Sequence, residues 1–264
     1  PGANANAVAE LVLCGLLLGS RNVIGGVNWA QTLKNEGDAV AKLVEKGKGQ
    51  FVGPEVRGKT LGVIGLGAIG RLVANAASEG FGMRVIGCDP YISVDSAWML
   101  SRKVVHAKND AEVFAQADYV TIHVPLNDKT RGMINADVIS KMKPGAVLLN
   151  FSRNELVDNA ALLAALESGQ LGGYVVDFPS ADLLGVEKVV AIPHLGASTP
   201  ESEDNCAIMA AHEIQEYLDN GNIIHSVNLP DVSMERSGEA RICMIHKNIS
   251  ATLAKITTIV SAEG

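Results

Sequence analysis

Gly65, Gly67 and Gly70 stand in a G-x-G-x-x-G spacing between a short apolar run and a helical pattern. In that context each glycine has a separate task. The first permits a tight turn, the second lets backbone approach a pyrophosphate, and the third lets helix and strand pack closely. Ala68 and Ile69 open the helix, whose N-terminal amides and dipole favour negative charge. Asp89 follows 19 residues after Gly70, at the end of the next strand-like run. A carboxylate there accepts hydrogen bonds from adenosine ribose hydroxyls and repels a 2′-phosphate, which favours NAD over NADP. The plainer reading is that Asp89 caps a turn with Pro90.

Four further groups fall just beyond later apolar runs: Val124-Pro125, Phe151-Ser152-Arg153, Asp177 and His194-Leu195-Gly196-Ala197. In open α/β sheets ligands bind at that edge. A guanidinium at Arg153 suits a carboxylate held by two parallel hydrogen bonds. An imidazole at His194 suits a hydroxyl proton removed as hydride leaves for a nicotinamide. Such a histidine needs an acid to orient it; Asp182 is the nearest candidate and Asp177 the other. Taken singly, these residues also read as a surface cation, a loop histidine and a solvated acid. Their joint occurrence with the glycine fingerprint is what points to catalysis.

The elements that must position them are legible as an alternation. Strand-like runs appear at 61–65, 84–88, 119–124, 146–150, 173–177 and 189–192, with a weaker one at 104–106. Helical patterns at 69–79, 111–117, 136–142 and 159–168 lie between most of them. Runs apolar on both faces, separated by helices, predict a parallel sheet covered on both sides, the doubly wound α/β class. A buried entry helix is expected over 5–21. Residues 28–60 read as mixed, with the Lys42–Lys48 cluster as solvated surface. Beyond His194, Ser198-Thr199-Pro200-Glu201 starts a helix that reaches Asn220. A strand-like segment at 225–229, a strand at 241–246 and a helix at 249–262 follow. The expected domains are a dinucleotide-binding domain over 1–197, a remnant of a substrate domain over 198–232, and a truncated regulatory unit over 238–264.

The chain has 264 residues, a net charge of -7 and 47% hydrophobic composition. The acidic balance argues against a general nucleic-acid binder. The longest apolar run, 12–18, is too short to span a bilayer, which argues against a membrane protein. Four scattered cysteines form no CxxC pair, so neither disulfide framework nor zinc site is expected, and a cytoplasmic setting is the simplest reading. His123 is read as structural or lining a cofactor cleft; His106, His212 and His225 as surface or packing residues. No metal is expected. Both ends read as cut, the chain being part of a longer protein.

The order GLGAIG, DPY, HVPLN, Ser-Arg after a strand, VVDF and PHLGAST resembles the D-isomer-specific 2-hydroxyacid dehydrogenases over residues 1–229. Within that family the chain is most similar to the phosphoglycerate-oxidising members that open serine biosynthesis. The resemblance rests there on Ser226-Val227-Asn228-Leu229-Pro230 and on an appended segment, Ile245-His246-Lys247-Asn248, that resembles the start of an ACT domain. It implies NAD as cofactor and oxidation of 3-phospho-D-glycerate to 3-phosphooxypyruvate. The alternatives are another 2-ketoacid reductase of the glyoxylate or hydroxypyruvate type, and an NAD-sensing protein without turnover.

By the same resemblance, Arg153 binds the substrate carboxylate and His194 is the acid/base. Ala68 and Ile69 offer backbone to the pyrophosphate, with Asp89 on the ribose. Val124, Phe151, Ser152, Asp177 and the His194–Ala197 loop surround the nicotinamide half. It also implies a homo-oligomer and, in the intact protein, an amino-acid effector such as L-serine. The chain departs from the family in three places. Asn154 follows the arginine where glycine is common. Asp182 stands where the histidine's partner is usually glutamate, or, if one residue is missing after Asp177, Ala181 does. Ser250-Ala251 replaces a usual Pro-Gly. The residues that would grip a substrate phosphate are expected before Pro1.

Overall fold

The computed structural model describes residues 2–247 and 249–263; Pro1, Asn248 and Gly264 lie outside the described residues. The chain divides into two compact units, 1–206 and 207–264.

The first unit is built on seven strands: β1 (Thr60–Ile64), β2 (Arg84–Cys88), β3 (Val104–His106), β4 (Tyr119–Ile122), β5 (Ala146–Asn150), β6 (Leu171–Val176) and β7 (Val189–Ala191). They form one parallel sheet in the order β3-β2-β1-β4-β5-β6-β7. The order reverses beside β1, which pairs with β2 on one side and β4 on the other. Chain leaving β1 and chain leaving β4 therefore part company, and a crevice opens at their C-terminal ends.

Alternation along each strand feeds two cores, one per face. On β5, Leu148 packs into one cluster with Ile122, Tyr174 and Leu162. Its neighbours Val147 and Leu149 point the other way and join Val12, Leu16, Val63 and Val73. The first cluster is covered by α6 (Asp110–Gln116), α7 (Ala136–Ser140) and α8 (Asn159–Ser168). The second is covered by α1 (Ala5–Ser20) and α4 (Ala68–Glu79). A sheet buried on both faces explains the near-continuous apolar runs.

Residues 28–60, read from sequence as mixed, hold the end of α2 (Val23–Thr32), all of α3 (Val40–Gly47) and short 3-10 turns. Gly25 and Gly26 lower helix propensity there, but the Asn22 side chain caps α2 by accepting from the Gly25 amide at 3.0 Å. A short helix, α5 (Val94–Trp98), is capped the same way by Ser93.

The second unit begins within α9 (Pro200–Asn220) and ends with α10 (Thr252–Glu263). Two expectations fail in it. Residues 225–229 form a turn, not a strand: Ser226 Oγ accepts from the amides of Asn228 and Leu229. Residues 241–246 are irregular. Alternating Ile242 and Met244 have no neighbouring strand to complete a ladder and stay exposed. The Arg241 guanidinium instead donates to the Asn220 and Met234 carbonyls. The opening strand of an ACT-like unit is therefore not formed among the described residues. No single helix among them is long and apolar enough to cross a membrane. All four cysteines are free thiols.

Candidate active site

The glycine loop leaves β1 directly into α4. Gly65 has φ +89°, and a Cβ there would sit 2.5 Å from the His123 carbonyl oxygen. Any other residue would be strained and would collide with the backbone leaving β4. At Gly70 a Cβ would run into the Gly65 carbonyl oxygen, so the helix can seat on the turn only with glycine. Gly67 meets nothing within 4 Å and caps α4 without a side-chain hydrogen bond. The first-turn amides around Ala68 and Ile69 thus lie beside open space at the positive end of the helix, a setting that suits an anion.

Asp89 is placed by the end of β2. Its Oδ2 accepts from the Leu66 amide at 2.8 Å and its Oδ1 from the Tyr91 amide at 2.9 Å. The carboxylate therefore braces the glycine loop and keeps lone pairs on the cleft side. That cleft has a volume of about 750 Å³, and its lining includes Gly65, Gly67, Asp89, Tyr91, Val124 and Pro125. A space of this size at the strand-order reversal fits the adenosine half of a dinucleotide. Its far wall is a loop fixed by Thr130, whose hydroxyl donates to the Pro125 carbonyl and accepts from the Asn127 amide. Tyr91 and this loop were not singled out from sequence, although the DPY and HVPLN motifs contain or border them.

His123 also lines the cleft. Its Nε2 lies 2.9 Å from Thr121 Oγ1, while Nδ1 is buried without a protein partner. Burial pushes the imidazole down to about 4, so it is neutral at ordinary pH.

The remaining predicted residues converge beyond β5, β6 and β7. Asn150, fully buried at the end of β5, shapes the turn that carries Arg153. Its Oδ1 accepts from the Ser152 amide, and its Nδ2 donates to the Arg153 carbonyl at 2.8 Å and to the Tyr174 hydroxyl. Ser152 Oγ donates to the Ile122 carbonyl, tying this turn to the end of β4. Phe151 points into the core, so any ligand contact there comes from its backbone. Asn150 is a residue that sequence reasoning missed; only its position at a strand end hinted at it.

Asp177, at 1% exposure, makes no hydrogen bond to His194's ring among the described residues; it holds the loop that carries it. Its two oxygens accept from the Leu195 and Gly196 amides, both at 2.8 Å. Ala197 continues this loop. His194 itself takes a left-handed conformation with φ +52°. Its ring packs on Phe178, centroids 4.1 Å apart, and the Arg153 guanidinium carbon lies 5.1 Å from the same Phe178 ring. Arg153 and His194 are thus brought together; Asp182 is not joined to them. Among the described residues no hydrogen bond or ion pair links Asp182 to His194. The Asp182 carboxylate instead accepts from Ser180 Oγ at 2.5 Å and from Asn159 Nδ2 at 3.0 Å. The Ser180 bond, joined by that from Asn159, outweighs slight burial and holds its pKa below the usual carboxylate range. No group of three or more metal-ligating side chains occurs among the described residues.

Comparison with known proteins decides the lineage. The family description "D-isomer specific 2-hydroxyacid dehydrogenase, NAD binding domain" matches residues 24–196. The chain belongs to this family. The D-3-phosphoglycerate dehydrogenase of Methanocaldococcus jannaschii is 35% identical over 93% of this chain and 45% of its own length. That of Escherichia coli is 34% identical over all of this chain and 63% of its own length. The chain therefore spans roughly half the length of these relatives. Among solved structures, NAD+-bound 3-phosphoglycerate dehydrogenase of Entamoeba histolytica superposes with a TM-score of 0.66 at 28% identity. It covers 87% of this chain and 66% of its own. The matched region is the family's NAD-binding domain, and the glycine loop, open helix terminus and braced Asp89 fit that cofactor.

Proposed function

We propose that this chain supplies the NAD site and the acid–base centre of an enzyme that oxidises 3-phospho-D-glycerate to 3-phosphooxypyruvate. One observation carries the reading: Arg153 and His194, from turns after different strands, meet on one ring at the sheet edge that holds the glycine loop. The names of the relatives at 34–35% identity support the choice of substrate.

Arg153 pairs its guanidinium with the substrate carboxylate through two parallel hydrogen bonds and so fixes the direction of the C–H bond. His194 removes the hydroxyl proton as that bond breaks. NAD, when bound, accepts the hydride. Asp177 keeps His194 in place through the loop amides, and Asp89 accepts from the adenosine ribose. Asp182 braces the segment after β6 through Ser180 and Asn159. The partners of this reading are a small 2-hydroxyacid substrate, further copies of the chain in a homo-oligomer, and an amino-acid effector of the intact protein. The four free thiols support a reducing, cytoplasmic setting.

The test is turnover by the full-length protein. His194→Asn is expected to lower kcat by roughly 10²- to 10⁴-fold with little change in NADH affinity. Phosphoglycerate should be preferred over unphosphorylated glycerate; the reverse preference would assign the chain to another branch of the family. Because Asp182 is engaged elsewhere, Asp182→Ala should change kcat by less than about three-fold, well short of a general acid/base loss. A collapse in that variant would restore Asp182 as the histidine's partner.

A further inference from the structure

Phe178 has no part in the reaction scheme, yet its ring lies against both proposed reactive groups. It follows Asp177 directly at the end of β6, and its ring packs against the same core cluster as Tyr174, Val176 and Leu183. A ring anchored in a close-packed core is held far more firmly than a loop side chain. Two exposed groups from different loops lean on it. The Arg153 guanidinium carbon, 5.1 Å from the ring centroid, is within the range where an aromatic face attracts a cation. The His194 imidazole, 4.1 Å away at an interplanar angle of 41°, makes a tilted aromatic pair.

We infer that Phe178 is a positioning residue: one ring sets the distance between the guanidinium that holds the carboxylate and the imidazole that takes the proton. The inference rests on the dehydrogenase reading above for its consequences in turnover, but the ring contacts stand without it. Among the described residues no carboxylate hydrogen-bonds the His194 ring, because Asp182 is bound to Ser180 and Asn159 and Asp177 is spent on backbone amides. Orientation by an acid is therefore replaced by packing on an aromatic face. That face also attracts the imidazolium formed when the proton arrives, as it attracts the guanidinium. Asp177 and Phe178 thus divide the work: the first pins the backbone of the 194–197 loop, the second pins its ring.

The experiment compares Phe178→Leu and Phe178→Tyr with the unaltered protein by two readouts. In the first, histidine ring-proton NMR reports the ring current of Phe178 on His194. The His194 resonance is expected to move toward its unstacked position in Phe178→Leu and to stay shifted in Phe178→Tyr. In the second, kcat/KM for the 2-hydroxyacid is expected to fall roughly 10- to 100-fold in Phe178→Leu, with kcat and KM both affected. NADH affinity should fall far less than kcat/KM, since Phe178 lies outside the residues lining the adenosine cleft. Tyrosine should restore most of the loss. An unchanged His194 resonance in Phe178→Leu, or leucine and tyrosine variants with equal turnover, would overturn the assignment. A protein that binds no NADH and turns over no hydroxyacid even when unaltered would instead count against the dehydrogenase reading, and the NMR comparison would still decide the role of the ring.

Discussion

Asp177 illustrates how a single buried carboxylate organises a loop through its backbone amides. Two charge-assisted bonds to the Leu195 and Gly196 amides hold a loop whose next-door residue, His194, sits in a left-handed conformation. Asp177→Ala removes both bonds, each worth about 1.5–3 kcal/mol. The expected outcome is a destabilised protein, by on the order of 3 kcal/mol in denaturant titration, with turnover lost beyond what stability explains. Full turnover in a folded Asp177→Ala protein would show that the loop needs no such anchor. His123 makes a second residue-scale prediction. Burial pushes its pKa down to about 4 from an ordinary value of 6.5, so the folded chain keeps it neutral while the unfolded chain takes up a proton. Stability from this group is complete above about pH 6.5 and is lost as pH falls toward 4, by as much as about 3 kcal/mol. Thermal midpoints should therefore drop between pH 7 and 5, and His123→Gln should flatten that slope. Parallel slopes in the two proteins would place the acid sensitivity elsewhere.

At the scale of elements, caps decide several boundaries. Asp158 accepts from the amides of Ala160 and Ala161 and starts α8; Asn109 and Asn135 do the same for α6 and α7. Asp158→Ala should cost about 1 kcal/mol in urea titration and leave NADH affinity unchanged. A loss near zero would mean that α8 is held by packing of Leu162 and Leu166 alone. The same local chemistry explains what could be foreseen. β2, β3, β5 and α8 match their sequence patterns residue for residue, because apolar runs between capping residues admit one reading. α2 escaped notice because Gly25 and Gly26 sit inside it and its signal is one asparagine cap. The 241–246 segment failed for the opposite reason: its alternation is that of a strand, but a strand needs a neighbour. At the site, the glycine loop, Asp89, Arg153 and His194 were legible as motifs. Asn150 was not, and Phe178 entered only as the last residue of VVDF, since their contacts join distant segments that no spacing encodes.

For the first unit as a whole, the parallel sheet gathers both halves of the site along one edge. The glycine loop and Asp89 lie beyond β1 and β2. Arg153, Phe178 and His194 lie beyond β5, β6 and β7. Two cores, one on each face, fix that edge, so residues about 130 positions apart in the chain act together. We propose that NAD binds in the cleft at the strand-order reversal, with Asp89 reading its ribose. Calorimetric titration of NADH and NADPH into the protein and its Asp89→Ala variant measures this directly. The unaltered protein should bind NADH clearly more tightly than NADPH. In Asp89→Ala, NADH affinity should fall by roughly 10-fold or more, as expected for a lost charge-assisted hydrogen bond, and the preference over NADPH should shrink. An unaltered protein that binds neither dinucleotide, or an Asp89→Ala protein with the same preference, would contradict it.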